Sequence, residues 1–230
     1  MRRIQYFPIV ISLFFALFSA SAEDSGSANR QQVPMRDGTL LATDVYLPEG
    51  EGPFPVVLAR SIYNISGSKA FGLVFTSQGM AFVAQQTRGY FDSEGEDAAF
   101  ANDAWGEHPD GVDCLNWLRD QPWCNGKIGT IGISALAISS QLLAGTGEPL
   151  NAQVIMVGAS RHYGALSYQG GVFRKRMVEE WLTNQGSEHI IDEFKAHPAY
   201  DDYWKQLDVD ARVAQVSAPP RTRAGRCRRS

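Results

Sequence analysis

The first patterned stretch of the chain, Thr39-Leu-Leu-Ala-Thr-Asp-Val-Tyr-Leu47, is β-rich and follows the turn signal Arg36-Asp37-Gly38, which predicts a strand. Pro55-Val-Val-Leu-Ala59 is short and wholly apolar, the pattern of a strand buried on both faces. Lys69–Gln78 reads as a helix stopped by Gly79, and Met80–Gln85 as the next strand. Asp110 is placed to cap a helix through Arg119, with Val112, Leu115 and Leu118 on one face and Pro122 ending it. A strand over Ile128–Ile133, a helix to about Ala144 and a strand over Gln153–Val157 follow. Such alternation predicts an α/β domain with a mostly parallel, doubly wound sheet covered by helices on both faces. No internal repeat is present.

Past Arg161 the texture changes. Residues 162–212 are rich in aromatic and charged residues, among them Tyr163, Tyr168, Phe173, Trp181, Phe194, Tyr200, Tyr203 and Trp204. They read as short amphipathic helices with no convincing strand. The last residues, Pro219-Pro-Arg-Thr-Arg-Ala-Gly-Arg-Cys-Arg-Arg-Ser230, match neither part, because a run of arginines without aliphatic residues does not make a buried strand.

Chemistry first shows in Lys127-Ile-Gly-Thr-Ile-Gly-Ile-Ser-Ala-Leu-Ala-Ile-Ser139. An apolar strand ends at Ser134 and helix formers follow at once, as in a nucleophile elbow. A serine hydroxyl is a weak nucleophile. It has to be held in the open for a base, with the next backbone N–H aimed at the developing oxyanion. Gly132 leaves room for the strand and helix to approach. Leu136 stands where the strict G-x-S-x-G spelling has its second glycine. On this stretch alone Ser134 reads either as a nucleophile or as an ordinary turn residue.

The N-terminus bears on location. Arg2 and Arg3 precede the apolar run Ile9–Phe18, which ends in Ser19-Ala-Ser-Ala22. This predicts a secretory signal over residues 1–22, cleaved after Ala22; an uncleaved anchor is the alternative, but the run is shorter than the roughly 20 apolar residues of a membrane span. The mature chain is then expected to be exported, periplasmic or secreted, with no stable membrane anchor. At 44% hydrophobic and 20% charged residues, the composition is that of a globular domain rather than a disordered chain. The net charge of −4 hides a contrast: without residues 1–22 and 221–230, fourteen basic face twenty-five acidic residues. An acidic body argues against nucleic-acid binding. Three cysteines are too few for a disulfide framework; Cys114 and Cys124 either pair or remain free thiols. No ligand spacing suggests a metal and no glycine-rich loop a phosphate, so no cofactor is expected. Asn64-Ile-Ser66 spells a glycosylation sequon, a short match of little weight.

Several segments together resemble one family. Val33–Pro48 looks like its opening strand pair, Pro53–Tyr63 like its next strand and following tyrosine, and Gln85-Gln-Thr-Arg-Gly-Tyr-Phe-Asp-Ser-Glu-Gly95 like its arginine-glycine/serine-glutamate-glycine loop. Asp110-Gly-Val-Asp113 and Trp117–Gly126 resemble the helix and turn before its nucleophile. The family is the cocaine-esterase-like (CocE/NonD) group of X-Pro dipeptidyl-peptidase-type serine hydrolases, which includes α-amino-acid ester hydrolases. The resemblance is dense over roughly residues 33–160. It implies the N-terminal part of an α/β-hydrolase, with a core over 31–160, the start of a helical cap over 161–213, and an Arg-rich tail over 220–230.

By this resemblance Ser134 is the nucleophile, the Ala135 backbone N–H one oxyanion donor and the Tyr63 hydroxyl the second. Ala135 replaces the family's tyrosine after the nucleophile, and Ala137 its glycine. Arg88 and Asp92 read as an ion pair or a loop clamp. The family's catalytic aspartate and histidine lie after the cap, beyond a strand that Ala214–Pro219 would approach. Here no aspartate follows Asp210 and no histidine follows His197, which suggests a frameshift or premature end. His108 reads as an exposed loop residue, His162 as lying near the top of the sheet, and His189 and His197 as cap residues. Two functions are therefore expected. One is an exported serine hydrolase acting on small ester, amide or peptide substrates through an acyl-enzyme. The other is a non-catalytic remnant or binding protein of the same fold. The sequence does not set the oligomeric state.

Overall fold

A computed structural model describes residues 28–217 and the backbone of residues 220 and 221. Strands β1 (Asn29–Pro34) and β2 (Leu40–Tyr46) form an antiparallel hairpin, turned by Gly38 at φ +87°. Then come β3 (Phe54–Ser61), helix α1 (Lys69–Thr76), β4 (Ala81–Gln86), α2 (Asp110–Arg119), β5 (Cys124–Ile133), α3 (Ala135–Ala144) and β6 (Ala152–Met156). The sheet order is β1-β2-β4-β3-β5-β6, with a two-residue β9 (Pro220–Arg221) beyond β6. From β4 onward every pairing is parallel, while β1 and β2 are antiparallel.

Strand periodicity divides the core. Val56 and Leu58 of β3 and Ala81 and Val83 of β4 face Cys114, Leu115 and Leu118 of α2 and Leu143 of α3. Val57 and Ala59 of β3 and Phe82 and Ala84 of β4 face the other way, onto Phe71 and Phe75 of α1. Alternate residues of one strand thus serve opposite layers, which is why these strands read as unbroken apolar runs. Gly72 lets α1 lie on β2, since a Cβ there would fall 2.5 Å from the Tyr46 ring.

One local expectation changes and two open alternatives are resolved. Asp110 is the first residue of α2, and no side chain caps the preceding Pro109; both Asp110 oxygens instead accept from Arg88, from Nε at 2.9 Å and Nη2 at 2.7 Å. Arg88 and Asp92 do not pair with each other. Arg88 also holds Asp37 and Thr39, whereas Asp92 pairs with Arg30, so Arg88 clamps the loop after β4 between the β1–β2 turn and α2. Cys114 and Cys124 are free thiols. Cys114 is buried against β3 and β5, and burial pushes its thiol up to about 12.

After β6 come a π-helical turn (His162–Ser167), a hairpin of β7 (Tyr168–Gln169) and β8 (Val172–Phe173), then α4 (Lys175–Asn184), α5 (His189–Ala196), α6 (Asp202–Lys205) and a 3₁₀ turn (Asp210–Gln215). The hairpin is a strand pair where none was expected. Gly170 and Gly171, both at positive φ, make its tight turn. This region shares one apolar cluster with the sheet edge: Val178, Leu182, Phe194 and Trp204 pack with Ile62, Tyr90, Phe100 and Ile138. At the far end the Pro220 and Arg221 backbones pair with Gln153 and Val154. The expected signal segment, residues 1–22, and the tail from 222 onward lie outside the described residues. Among the described residues, no helix is long and apolar enough to cross a membrane.

Candidate active site

Ser134 stands between the end of β5 and the start of α3, exposed, at φ 58° and ψ −120°. A non-glycine residue at positive φ is uncommon and costs energy. Two close approaches hold it there. A Cβ on Gly132 would lie 2.2 Å from the Leu136 carbonyl oxygen, so only glycine lets α3 fold back so tightly onto β5. The Ser134 N–H donates to the Met156 carbonyl at 3.0 Å and fastens the tip to β6. Ala135 is the first residue of α3, so its N–H is one of the helix's free donors and lies at the positive end of the helix dipole.

Tyr63 lies two residues past the end of β3, the parallel neighbour of β5. The pairing of Leu58 with Thr130, counted onward, sets Ile62 level with Ser134 and Tyr63 one residue beyond. Both residues thus lie at the carboxyl edge of the sheet, on adjacent strands roughly 5 Å apart. The Tyr63 backbone is fixed: its N–H donates to Ser61 Oγ at 2.9 Å, and its carbonyl accepts from Ser61 Oγ at 2.9 Å and Gln86 Nε2 at 2.8 Å. Its ring is half-buried against the cluster that joins the sheet edge to the later helices.

Behind the elbow runs a buried polar chain. Arg60 of β3 pairs with Asp103 at 2.7 Å, both side chains 3% exposed. Arg60 Nε donates to Gln85, and Ser139 of α3 donates to the other Asp103 oxygen at 2.6 Å. Burial raises the Asp103 carboxyl pKa while Arg60 opposes it. The chain joins α3, which carries the elbow, to the sheet and to the loop before α2. Arg60 in an otherwise apolar strand was its one visible signal; Asp103 gave none.

Among the described residues no hydrogen bond joins a histidine to the Ser134 hydroxyl. His162 does not lie open at the top of the sheet: it is 1% exposed among Phe100, Phe194 and Trp204, and neither ring nitrogen has a partner among the described residues. Its backbone N–H donates to Asp208. His108 is half-buried, 3.2 Å from Asp37. His189 Nε2 lies 3.2 Å from the Asp97 carbonyl. His197 bonds Asp201 at 2.6 Å and stacks on Tyr203, and the Asp201 carboxylate raises its pKa.

Burial pulls the His162 imidazole from an ordinary 6.5 down to about 4. Between those values the unfolded chain holds a proton there that the folded one does not. The stability it contributes is therefore complete above 6.5, falls through the window and levels off below 4. The gap is worth about 3 kcal/mol at 1.36 kcal/mol per pH unit. Burial raises the neighbouring Asp208, which acts with the opposite sign. The expected result is that His162→Phe loses less stability than the parent chain between pH 7 and pH 4.5, measured by urea denaturation. Equal losses would refute the buried, neutral imidazole.

The strand-to-helix serine lies within a stretch of the chain that matches a family model. Residues 37–190 match that of the X-Pro dipeptidyl-peptidase (S15) family. The chain belongs to this family. The cocaine esterase of Rhodococcus sp. (strain MB1 Bresler) is 39% identical over 179 residues, covering 74% of this chain and 30% of the esterase. The chain thus spans less than a third of that relative's length. A CocE/NonD family hydrolase from Staphylococcus aureus superposes with a TM-score of 0.72 at 23% identity, over 84% of this chain and 39% of that one. An α-amino acid ester hydrolase superposes with a TM-score of 0.67 at 22% identity, over 88% and 43%. These two likenesses show the S15 chain's fold, a mostly parallel α/β-hydrolase sheet. As an S15 member the chain is of an esterase- or peptidase-type hydrolase family.

Proposed function

We propose that this chain carries the nucleophile and oxyanion hole of an exported serine hydrolase. Its substrates are small esters, amides or X-Pro peptides, cleaved through an acyl-enzyme at Ser134. The observation that carries this reading is the exposed Ser134 at φ 58°, wedged between β5 and α3. The Ser134 hydroxyl attacks the substrate carbonyl carbon, and the oxygen, now negative, receives the Ala135 N–H and the Tyr63 hydroxyl. The proposal takes residues 1–22 as the export signal, 31–160 as the core and 161–213 as a cap over the sheet edge. It requires no cofactor, metal or nucleic acid.

The sealing of His162 among aromatic rings, and the lack of any hydrogen bond from a histidine to the Ser134 hydroxyl among the described residues, support a second reading, a non-catalytic member of the family. Acylation separates the two. With imidazole as external base, a p-nitrophenyl ester should acylate Ser134, seen as an acyl mass increment absent in Ser134→Ala. Tyr63→Phe should slow that acylation by roughly 10²- to 10³-fold, the effect of losing one oxyanion donor. Unmodified Ser134 after prolonged incubation would favour the non-catalytic reading. An undiminished rate in Tyr63→Phe would remove Tyr63 from the oxyanion hole.

A further inference from the structure

A second strained residue stands beside the elbow. Val157 directly follows β6, lies at φ +55° and is 90% exposed. A β-branched residue at positive φ is a genuine outlier, and a valine this exposed gains little from burial to offset the cost. The chain is pinned on both sides of it. Met156 pairs with Ile133 and accepts the Ser134 N–H, while a Cβ on Gly158 would lie 2.6 Å from the Ala137 Cβ, so the backbone passes tight against the first turn of α3. The pairing of Ile133 with Met156 sets Val157 directly across from Ser134. Tyr63 belongs to β3, on the opposite side of β5. A carbonyl held with its oxygen toward Tyr63 and Ala135 therefore turns another substituent toward β6.

We propose that Val157 is a specificity residue whose isopropyl group forms the apolar wall for the substrate's acyl chain, so that the site prefers aliphatic acyl groups longer than acetyl. This rests on the reading of Ser134 as nucleophile. Strain kept at an exposed residue level with Ser134 is the kind of outlier that marks a functional site.

The test uses the 230-residue chain, imidazole, and p-nitrophenyl acetate, butanoate and hexanoate. Imidazole accepts the Ser134 hydroxyl proton as Oγ bonds the carbonyl carbon, p-nitrophenolate departs, and intact mass counts the acyl-enzyme. The parent chain should acylate faster from butanoate than from acetate. That ratio should fall by at least about threefold in Val157→Gly and in Val157→Asn, part of the roughly tenfold that an enclosed methylene is worth. Both replacements tolerate left-handed backbone, so their Tm should equal or exceed the parent's. An unchanged acyl-length ratio would overturn this proposal alone. So would a change confined to a series of acetate esters with different leaving groups, or a Tm lowered in both variants by more than about 4 °C, which would reveal a structural role. Absence of Ser134 acylation from every ester would overturn the nucleophile reading and this inference with it.

Discussion

In a p-nitrophenyl ester assay without added base, the 230-residue chain is expected to show no turnover above buffer. Ser134 stands exposed at the strand-to-helix turn, but exposure does not supply a proton acceptor. His162 is sealed among three aromatic rings, with its pKa pushed down to about 4 by burial. Both ring nitrogens of His197 are taken, by Asp201 and Glu193, and among the described residues no hydrogen bond joins His108 or His189 to the Ser134 hydroxyl. In a serine protease, loss of the triad's serine or histidine costs on the order of a millionfold in kcat, and only binding and oxyanion stabilisation survive. A loss of that size takes an ordinary turnover of roughly 10 per second below detection. Imidazole should restore acylation of Ser134, because small bases reach an exposed hydroxyl. Ester turnover that disappears in Ser134→Ala, with no imidazole present, would overturn the prediction. It would mean that a base reaches Ser134 from a group assigned elsewhere.

The central strands were legible because a parallel sheet buries both faces of β3 and β4, so each appears as an apolar run needing no periodic decoding. The strand-to-helix turn at Ser134 was legible from the glycine, the serine and the helix formers that follow, but the same residues also fit an ordinary turn, and the resemblance of the surrounding segments carried the nucleophile reading. The antiparallel placement of β2 beside β4 was not legible, since strand order depends on contacts far apart in sequence. Asp110 shows how a local rule fails. A carboxylate before a helix suits a cap, but Arg88, 22 residues earlier, offers two charged donors and takes both oxygens. The burial of His162 had no local signal either. Its cage comes from Phe100 before it and Phe194 and Trp204 after it. Gly170-Gly171 was a readable hairpin signal, obscured by the charged, aromatic texture around it.

Asp103→Ala is expected to destabilise the fold by about 3–5 kcal/mol, the cost of leaving one member of a buried ion pair without its partner. Arg60 is 3% exposed and cannot turn to solvent, and Gln85 on its Nε does not neutralise it. The same change removes the acceptor for the Ser139 hydroxyl, buried in the helix that follows Ser134. The neighbourhood also has little freedom to adjust, because a Cβ on Gly111 would lie 2.1 Å from the Asp103 carbonyl and 2.9 Å from Arg60 Nη1. Removing both charges should be milder than removing one. In Arg60→Met/Asp103→Leu the guanidinium is no longer stranded, and apolar side chains replace a pair whose desolvation had consumed much of its attraction. A double-mutant cycle by urea denaturation should therefore give a coupling of at least about 2 kcal/mol between positions 60 and 103. Because α3 presents Ser134, the single variant should also slow acylation of Ser134 by imidazole and ester under conditions where the protein remains folded. A loss below about 1 kcal/mol in Asp103→Ala, with additive behaviour in the cycle, would show that the pair neither holds the elbow in place nor carries the stability assigned to it.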